Sequence, residues 1–271
     1  MEHFNNGFNL IDKAHIDTVK QRFLRISDAI EKSYYSDGIK GEHSHFVGSY
    51  GRNTAINTSD IDIMVVLPES VYDQFDSHSG NSASHLLQAI RADILETYPK
   101  TDISGDGQVV VIEFTDGMKF EVLPGFKRGN DAYYHPDTHD GGSWKLTYPF
   151  LEQTAMRKKN SQCNGLLYDT CRYIRYIRDE CFEDMNLSGI VIDSFVYSAI
   201  GPYRWQSTEI RNNSNLYSYI EHLYEAYSVL NESEFDVLYA PGSDVLIPFN
   251  DSFDNLGKVI NRWLDSSKNN Y

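Results

Sequence analysis

Residues 48–66 read "GSYGRNTAINTSDIDIMVV": a glycine-serine turn, ten further residues, then two aspartates one residue apart at the mouth of an apolar run that ends at Pro68. Alternate side chains of a strand share a face, so this spacing points Asp60 and Asp62 the same way while Ile61 and Ile63 enter a core. Two like charges so close make each other costly unless a cation sits between them. Carboxylate oxygens suit the hard Mg²⁺ ion, with Mn²⁺ as a substitute. Two such ions about 3.5–4 Å apart stabilise both the attacking and the leaving oxygen of a phosphoryl or nucleotidyl transfer. Gly48 and Ser49 add what a triphosphate needs: a turn without a blocking Cβ, free backbone N–H groups and a hydroxyl. The chain has no GxxxxGK[ST] loop, so P-loop chemistry is excluded. A bare D-x-D is commonly a solvated or edge-guarding pair of charges. Its combination with the Gly-Ser turn and a later acidic strand residue gives this one its weight.

Outward from this stretch, Val19, Phe23, Ile26 and Ile30 fall at helical spacing and predict an entry helix over about 16–34. "HFVGSYG" reads as a short strand breaking into a glycine turn. Leu86, Leu87, Ile90, Ile94 and Leu95 mark one face of a helix over about 82–97. "GQVVVIEFTDGMKFEVLPGF" reads as a hairpin around "TDG". The Gly- and Asp-rich "HPDTHDGGSW" reads as a loop, in which His135 and His139 lack the helical frame of a two-histidine zinc face. Beyond Tyr148 the pattern turns helical, with segments near 149–159, 164–182, 190–200, 214–230 and 253–266. The expected architecture is α+β: a mixed-sheet catalytic core over 1–145, a helical lobe over 146–271, and a ligand cleft between them.

Composition narrows the function. The 271 residues carry 24 Lys+Arg against 39 Asp+Glu, a formal charge of -15. Such a surface repels phosphate backbones, so constitutive binding of long DNA or RNA is not expected. No run approaches the roughly 20 apolar residues of a membrane span, and the first residues lack a signal-peptide pattern, so a cytoplasmic protein is expected. Cys163, Cys171 and Cys181 form no CxxC pair and read as reduced, packed thiols.

The Gly48-Ser49 turn, the Asp60-Ile61-Asp62 strand and a downstream acidic strand resemble the active-site signature of the DNA polymerase β-like nucleotidyltransferases. In that superfamily a later strand supplies a third carboxylate. Glu113 and Glu121 compete for the role, and the resemblance selects Glu121, which follows the DG turn and precedes "LP". Further segments, "YYHPDTHDGGSWKLTYPFLE", "GIVIDSFVYSAI" and "LYAPGS", extend the resemblance along nearly the whole chain. Together they resemble the SMODS nucleotidyltransferases of bacteria, relatives of animal cyclic GMP-AMP synthase.

That resemblance implies a polymerase β-like core with a C-terminal helical lobe, NTP substrates, and two Mg²⁺ held by Asp60, Asp62 and Glu121. It also implies Gly48 and Ser49 on the β and γ phosphates, with a basic residue on the helix after "NG" completing the clamp. Arg178 borders that helix's apolar stripe and is the candidate; Arg175 reads as a surface partner of Asp179. Arg52 and Thr54 read as loop-stabilising or ligand-contacting in equal measure. The implied product is a cyclic di- or trinucleotide that activates a separate effector in anti-phage defence (CBASS), with accessory regulatory proteins. Two rivals stand beside it. One is template-free synthesis of a linear oligonucleotide, primed by a protein hydroxyl such as that of Tyr271; the other is a catalytically idle nucleotide-binding module.

Overall fold

The computed structural model describes residues 11–36, 38–77, 80–207, 216–233 and 237–268. Tyr271, named above as a primer, lies outside them. The chain divides into two compact units. One comprises Asp12–Gly51 and Ser59–Phe150; the other includes Arg52–Thr58 and Leu151–Tyr271. Residues 52–58, directly between Ser49 and Asp60, therefore belong with the C-terminal helices.

The first unit is built on a mixed sheet. Its elements are α1 (Lys13–Tyr34), β1 (Ser44–Phe46), α2 (Gly48–Gly51), β2 (Ile61–Leu67), α3 (Glu69–Asp76), α4 (Ser82–Thr97), β3 (Asp102–Asp106), β4 (Val109–Glu113), β5 (Lys119–Arg128), β6 (Ala132–Asp137) and β7 (Ser143–Thr147). The strand order is β1-β2-β5-β4-β3, and β6 joins β5 to β7. Among the described residues only the β2–β5 pairing is parallel; β5 gives its first half to β4 and its last residues to β6. The β4–β5 hairpin closes as its sequence predicts, with Gly117 at φ 84 donating its N–H to the Phe114 carbonyl at 2.9 Å.

One sheet face is the core. Ile61, Ile63, Val65 and Leu67 of β2 and Phe120, Val122 and Phe126 of β5 pack with Ile26 and Ile30 of α1 and Leu86, Ile90 and Ile94 of α4. Each such buried side chain contributes about 1.5–3 kcal/mol. The entry helix starts at an Asp12 cap, whose carboxylate accepts from His15 N–H at 2.7 Å. The turn after it is fixed by buried Glu31, which accepts from Gly41 N–H (2.8 Å), His43 N–H (3.2 Å) and Ser44 Oγ (2.6 Å).

Two readings need correction here. The loop expected over "HPDTHDGGSW" is mostly the β6–β7 hairpin: His135 is buried on β6, and a 3₁₀ turn at His139–Gly141 carries the chain into β7. Pro136 and Asp137 fit a strand because Asp137 accepts from His139, Gln108 and Lys145, which satisfy its buried carboxylate. The second concerns Cys181, which is exposed at the end of its helix, whereas Cys163 and Cys171 are buried.

The second unit contains α5 from Leu151 onward (Pro149–Gln162 in full), α6 (Leu166–Cys181), α7 (Gly189–Ala199), α8 (Leu216–Glu232), the short pair β8 (Leu238–Tyr239) and β9 (Leu246–Ile247), and α9 (Asp251–Lys268). Its core joins Ile174 and Cys171 of α6, Ile192 and Phe195 of α7, Tyr219 and Leu223 of α8, and Ile260 and Trp263 of α9. Among the described residues no helix is long and apolar enough to cross a membrane.

Candidate active site

Gly48, Ser49, Asp60, Asp62 and Glu121 all lie in the sheet-bearing unit. Asp62 is the second residue of β2 and stands in register with Glu121 of β5. Register neighbours on paired strands present side chains to one face, so these carboxylates share the face opposite the helix-covered core. Asp60 immediately precedes β2 and is half-exposed, with its carboxylate turned to the same cation as that of Glu121. Glu113 is in register with Lys119, at the exposed end of β4. The parallel pairing thus places Glu121 beside Asp62.

The glycine turn is shaped around Asp62. Gly48 has φ +55, and a Cβ there would meet Asp62 Oδ2 at 1.9 Å and Cγ at 2.6 Å. The backbone locks the same approach from the other side: Val47 N–H donates to the Asp62 carbonyl at 2.9 Å, and Gly51 N–H to the Val47 carbonyl at 2.8 Å. Ser49 is nearly buried in α2. Gly48→Ala is therefore expected to displace the Asp62 carboxylate or break the turn. Either result should lower any turnover that depends on Asp62 by about 10²-fold, as a 1 Å misplacement does, with a smaller loss of thermal stability.

Lys119, absent from the sequence reading, completes the cluster. Its ammonium lies 2.6 Å from Glu121 Oε1 and 3.1 Å from Asp60 Oδ2. Burial would lower its pKa, but hydrogen bonds and charge from Glu121 and Asp60 outweigh that and raise it above the usual lysine range. The K-x-E alternation of "KFE" was its available signal, since it puts Lys119 and Glu121 on one face.

The donor chemistry fits a hard divalent cation: three carboxylates, two already converging on one positive charge, and a glycine cradle for the third. The described residues contain no group of three His, Cys, Asp or Glu already gathered for metal binding. Asp60 and Glu121 turn instead to Lys119.

Arg178 belongs to the helical unit. It donates from Nε to Asp179 Oδ1 at 2.5 Å and from Nη1 to the Leu187 carbonyl at 3.0 Å. Arg175 is not a surface residue. It is 1% exposed and grips Asp193 of α7 through two bonds, Nη1–Oδ1 at 2.7 Å and Nη2–Oδ2 at 3.0 Å. Asp193 also accepts from Arg52 Nε at 2.8 Å and Thr54 Oγ1 at 2.9 Å, and Arg52 Nη1 reaches Glu152 at 2.9 Å. Burial pushes the Asp193 carboxyl up, yet the charges and hydrogen bonds of Arg175 and Arg52 hold it down at about 2. Arg52 and Thr54 therefore stabilise the loop. Helical spacing alone missed this network because the partner of Arg175 lies on another helix.

A mixed sheet carries acids on one parallel strand pair, with a glycine turn folded against one of them, and this fold is shared with solved cyclic dinucleotide synthases. The chain belongs to the SMODS family: the Second Messenger Oligonucleotide or Dinucleotide Synthetase domain matches residues 3–160. Solved structures share the fold. The STING-associated CdnE c-di-GMP synthase of Capnocytophaga granulosa superposes with a TM-score of 0.70 at 14% identity, over 96% of this chain and 84% of that one. The CdnE cyclic dinucleotide synthase of Elizabethkingia meningoseptica, solved with GTP and Apcpp, gives 0.65 at 13% identity over 91% of both chains. The E. coli MS115-1 CdnC:HORMA-deltaN complex gives 0.57 at 14% identity over 94% and 85%. No curated protein sequence matches the chain.

Proposed function

We propose that this chain is a Mg²⁺-dependent nucleotidyltransferase that joins NTPs into a cyclic di- or trinucleotide second messenger, in bacterial anti-phage defence of the CBASS type. The observation that carries the reading is the Asp62–Glu121 register pair, with Asp60 and Glu121 converging on Lys119 and Gly48 folded against Asp62. Family membership supports the reaction class, and the fold shared with CdnE cyclic dinucleotide synthases supports a cyclic dinucleotide product.

Asp60, Asp62 and Glu121 would hold the metal ions, which when bound lower the pKa of an attacking ribose hydroxyl and neutralise the pyrophosphate leaving group. Gly48 and Ser49 would receive the β and γ phosphates, the glycine by backbone approach and the serine by its hydroxyl. Arg178, a permanent cation on the helix after "NG", would contribute its charge to the phosphate clamp. The CdnC:HORMA-deltaN relative supports accessory regulatory proteins as partners, and a separate effector would read the product.

The test is to incubate the purified chain with labelled NTPs or dNTPs and Mg²⁺, treat with phosphatase, and weigh both the small molecules and the intact protein. A phosphatase-resistant small product is the expected result. A phosphatase-sensitive ladder or a mass increment on the protein would replace the cyclic product with the primed linear one. No turnover of any nucleotide would favour the idle module.

A further inference from the structure

Lys119 and the proposed metal ions make claims on the same oxygens. The ammonium sits within hydrogen-bond distance of Glu121 and Asp60, two of the three carboxylates assigned to metal above. The placement is built in: Lys119 precedes Glu121 by two residues on β5, so the strand's alternation brings both to one face, and the side chain is only about one-third exposed. A carboxylate oxygen facing an ammonium is not open to Mg²⁺, which demands near-ideal geometry at about 2.0–2.1 Å. A positive charge left in contact with a divalent ion is also repulsive.

We propose that Lys119 is an internal counter-ion that competes with the divalent metal for Asp60 and Glu121, so that loading this site is an exchange of one cation for another. The proposal rests on the metal-binding reading of these carboxylates. Its consequence is that Lys119 sets the free-metal concentration at which the site fills, and holds the Asp60 and Glu121 charges together below it.

The experiment is calorimetric titration of the full chain with Mn²⁺ alone, without nucleotide, alongside thermal melts in chelator and in saturating Mn²⁺. Lys119→Met is expected to bind Mn²⁺ about tenfold tighter than wild type, the scale of removing one contact charge at a partly exposed site. It should also melt lower in chelator and recover that deficit in Mn²⁺. Lys119→Arg, which keeps the charge, should stay near wild type in affinity. Lys119→Gln repeats the neutral variant should methionine disturb β5. Asp62-dependent Mn²⁺ binding in wild type, with unchanged or weaker affinity in both neutral variants, overturns the competition and leaves the metal reading standing. Absence of any Asp62-dependent Mn²⁺ binding in wild type overturns both.

Discussion

Asp62→Asn is expected to abolish nucleotide joining, lowering turnover by about a thousandfold or more, while the protein melts no lower than wild type in the absence of metal. The two halves of this expectation have one cause. Asp62 is in register with Glu121 and two residues from Asp60, so like-charge repulsion disfavours its ionised form, and under the proposed function a bound metal ion would offset that repulsion. Asparagine keeps the shape that fits against Gly48 and removes the charge. A steady-state assay of NTP consumption and a thermal melt in chelator together check the result. A large loss of stability with the loss of activity would mean that Asp62 supports the fold. Near-normal turnover would remove it from the chemistry.

Asp193→Asn carries the largest expected effect on stability. Asp193 is fully buried and accepts from Arg175, Arg52 and Thr54, so neutralising it leaves two guanidinium groups facing each other without their shared anion. Breaking a buried pair this way costs about 3–5 kcal/mol. Equilibrium unfolding in urea should show the loss, and a double-mutant cycle with Arg175→Met should recover part of it. The same network predicts acid sensitivity. The Asp193 carboxyl is held at about 2, below its ordinary value near 3.9, so its contribution is complete above about pH 4 and drains away as pH falls toward 2. Asp193→Asn should lack that component of the pH dependence. An acid profile identical to wild type would mean that other groups carry it.

The strongest local patterns in the sequence became the elements that hold the sheet-bearing unit together. The alternation of "IDIMVV" is β2, the 3.6-residue spacing of Leu86, Ile90 and Ile94 is α4, and "TDG" closes the β4–β5 hairpin. Short-range chemistry sufficed for these because each buries one regular face. It failed where a tertiary partner overrides composition. "YYHPDTHDGGSWKLT" carries Pro, Gly and Asp, the vocabulary of loops, yet it pairs as β6 and β7 because β5 offers its last residues to β6. "DISGD" is too polar to read as a strand and is one at the sheet edge beside β4. For the site, i, i+2 spacing announced Asp60 and Asp62, whereas the adjacency of Asp62 and Glu121 depends on a parallel register between distant strands. The burial of Arg175 was invisible for the same reason: Asp193, 18 residues on, faces it from α7.

The excursion of residues 52–58 into the helical unit bears on how such proteins can be taken apart and recombined. Arg52 and Thr54 supply two of the donors around Asp193, so the helices after Leu151 are not a self-sufficient module. A fragment beginning at Leu151 would expose a half-paired anion. Replacing the C-terminal half of this chain alone would strand Arg52 and Thr54 without Asp193. In this chain the helical region and residues 52–58 form one inseparable structural unit.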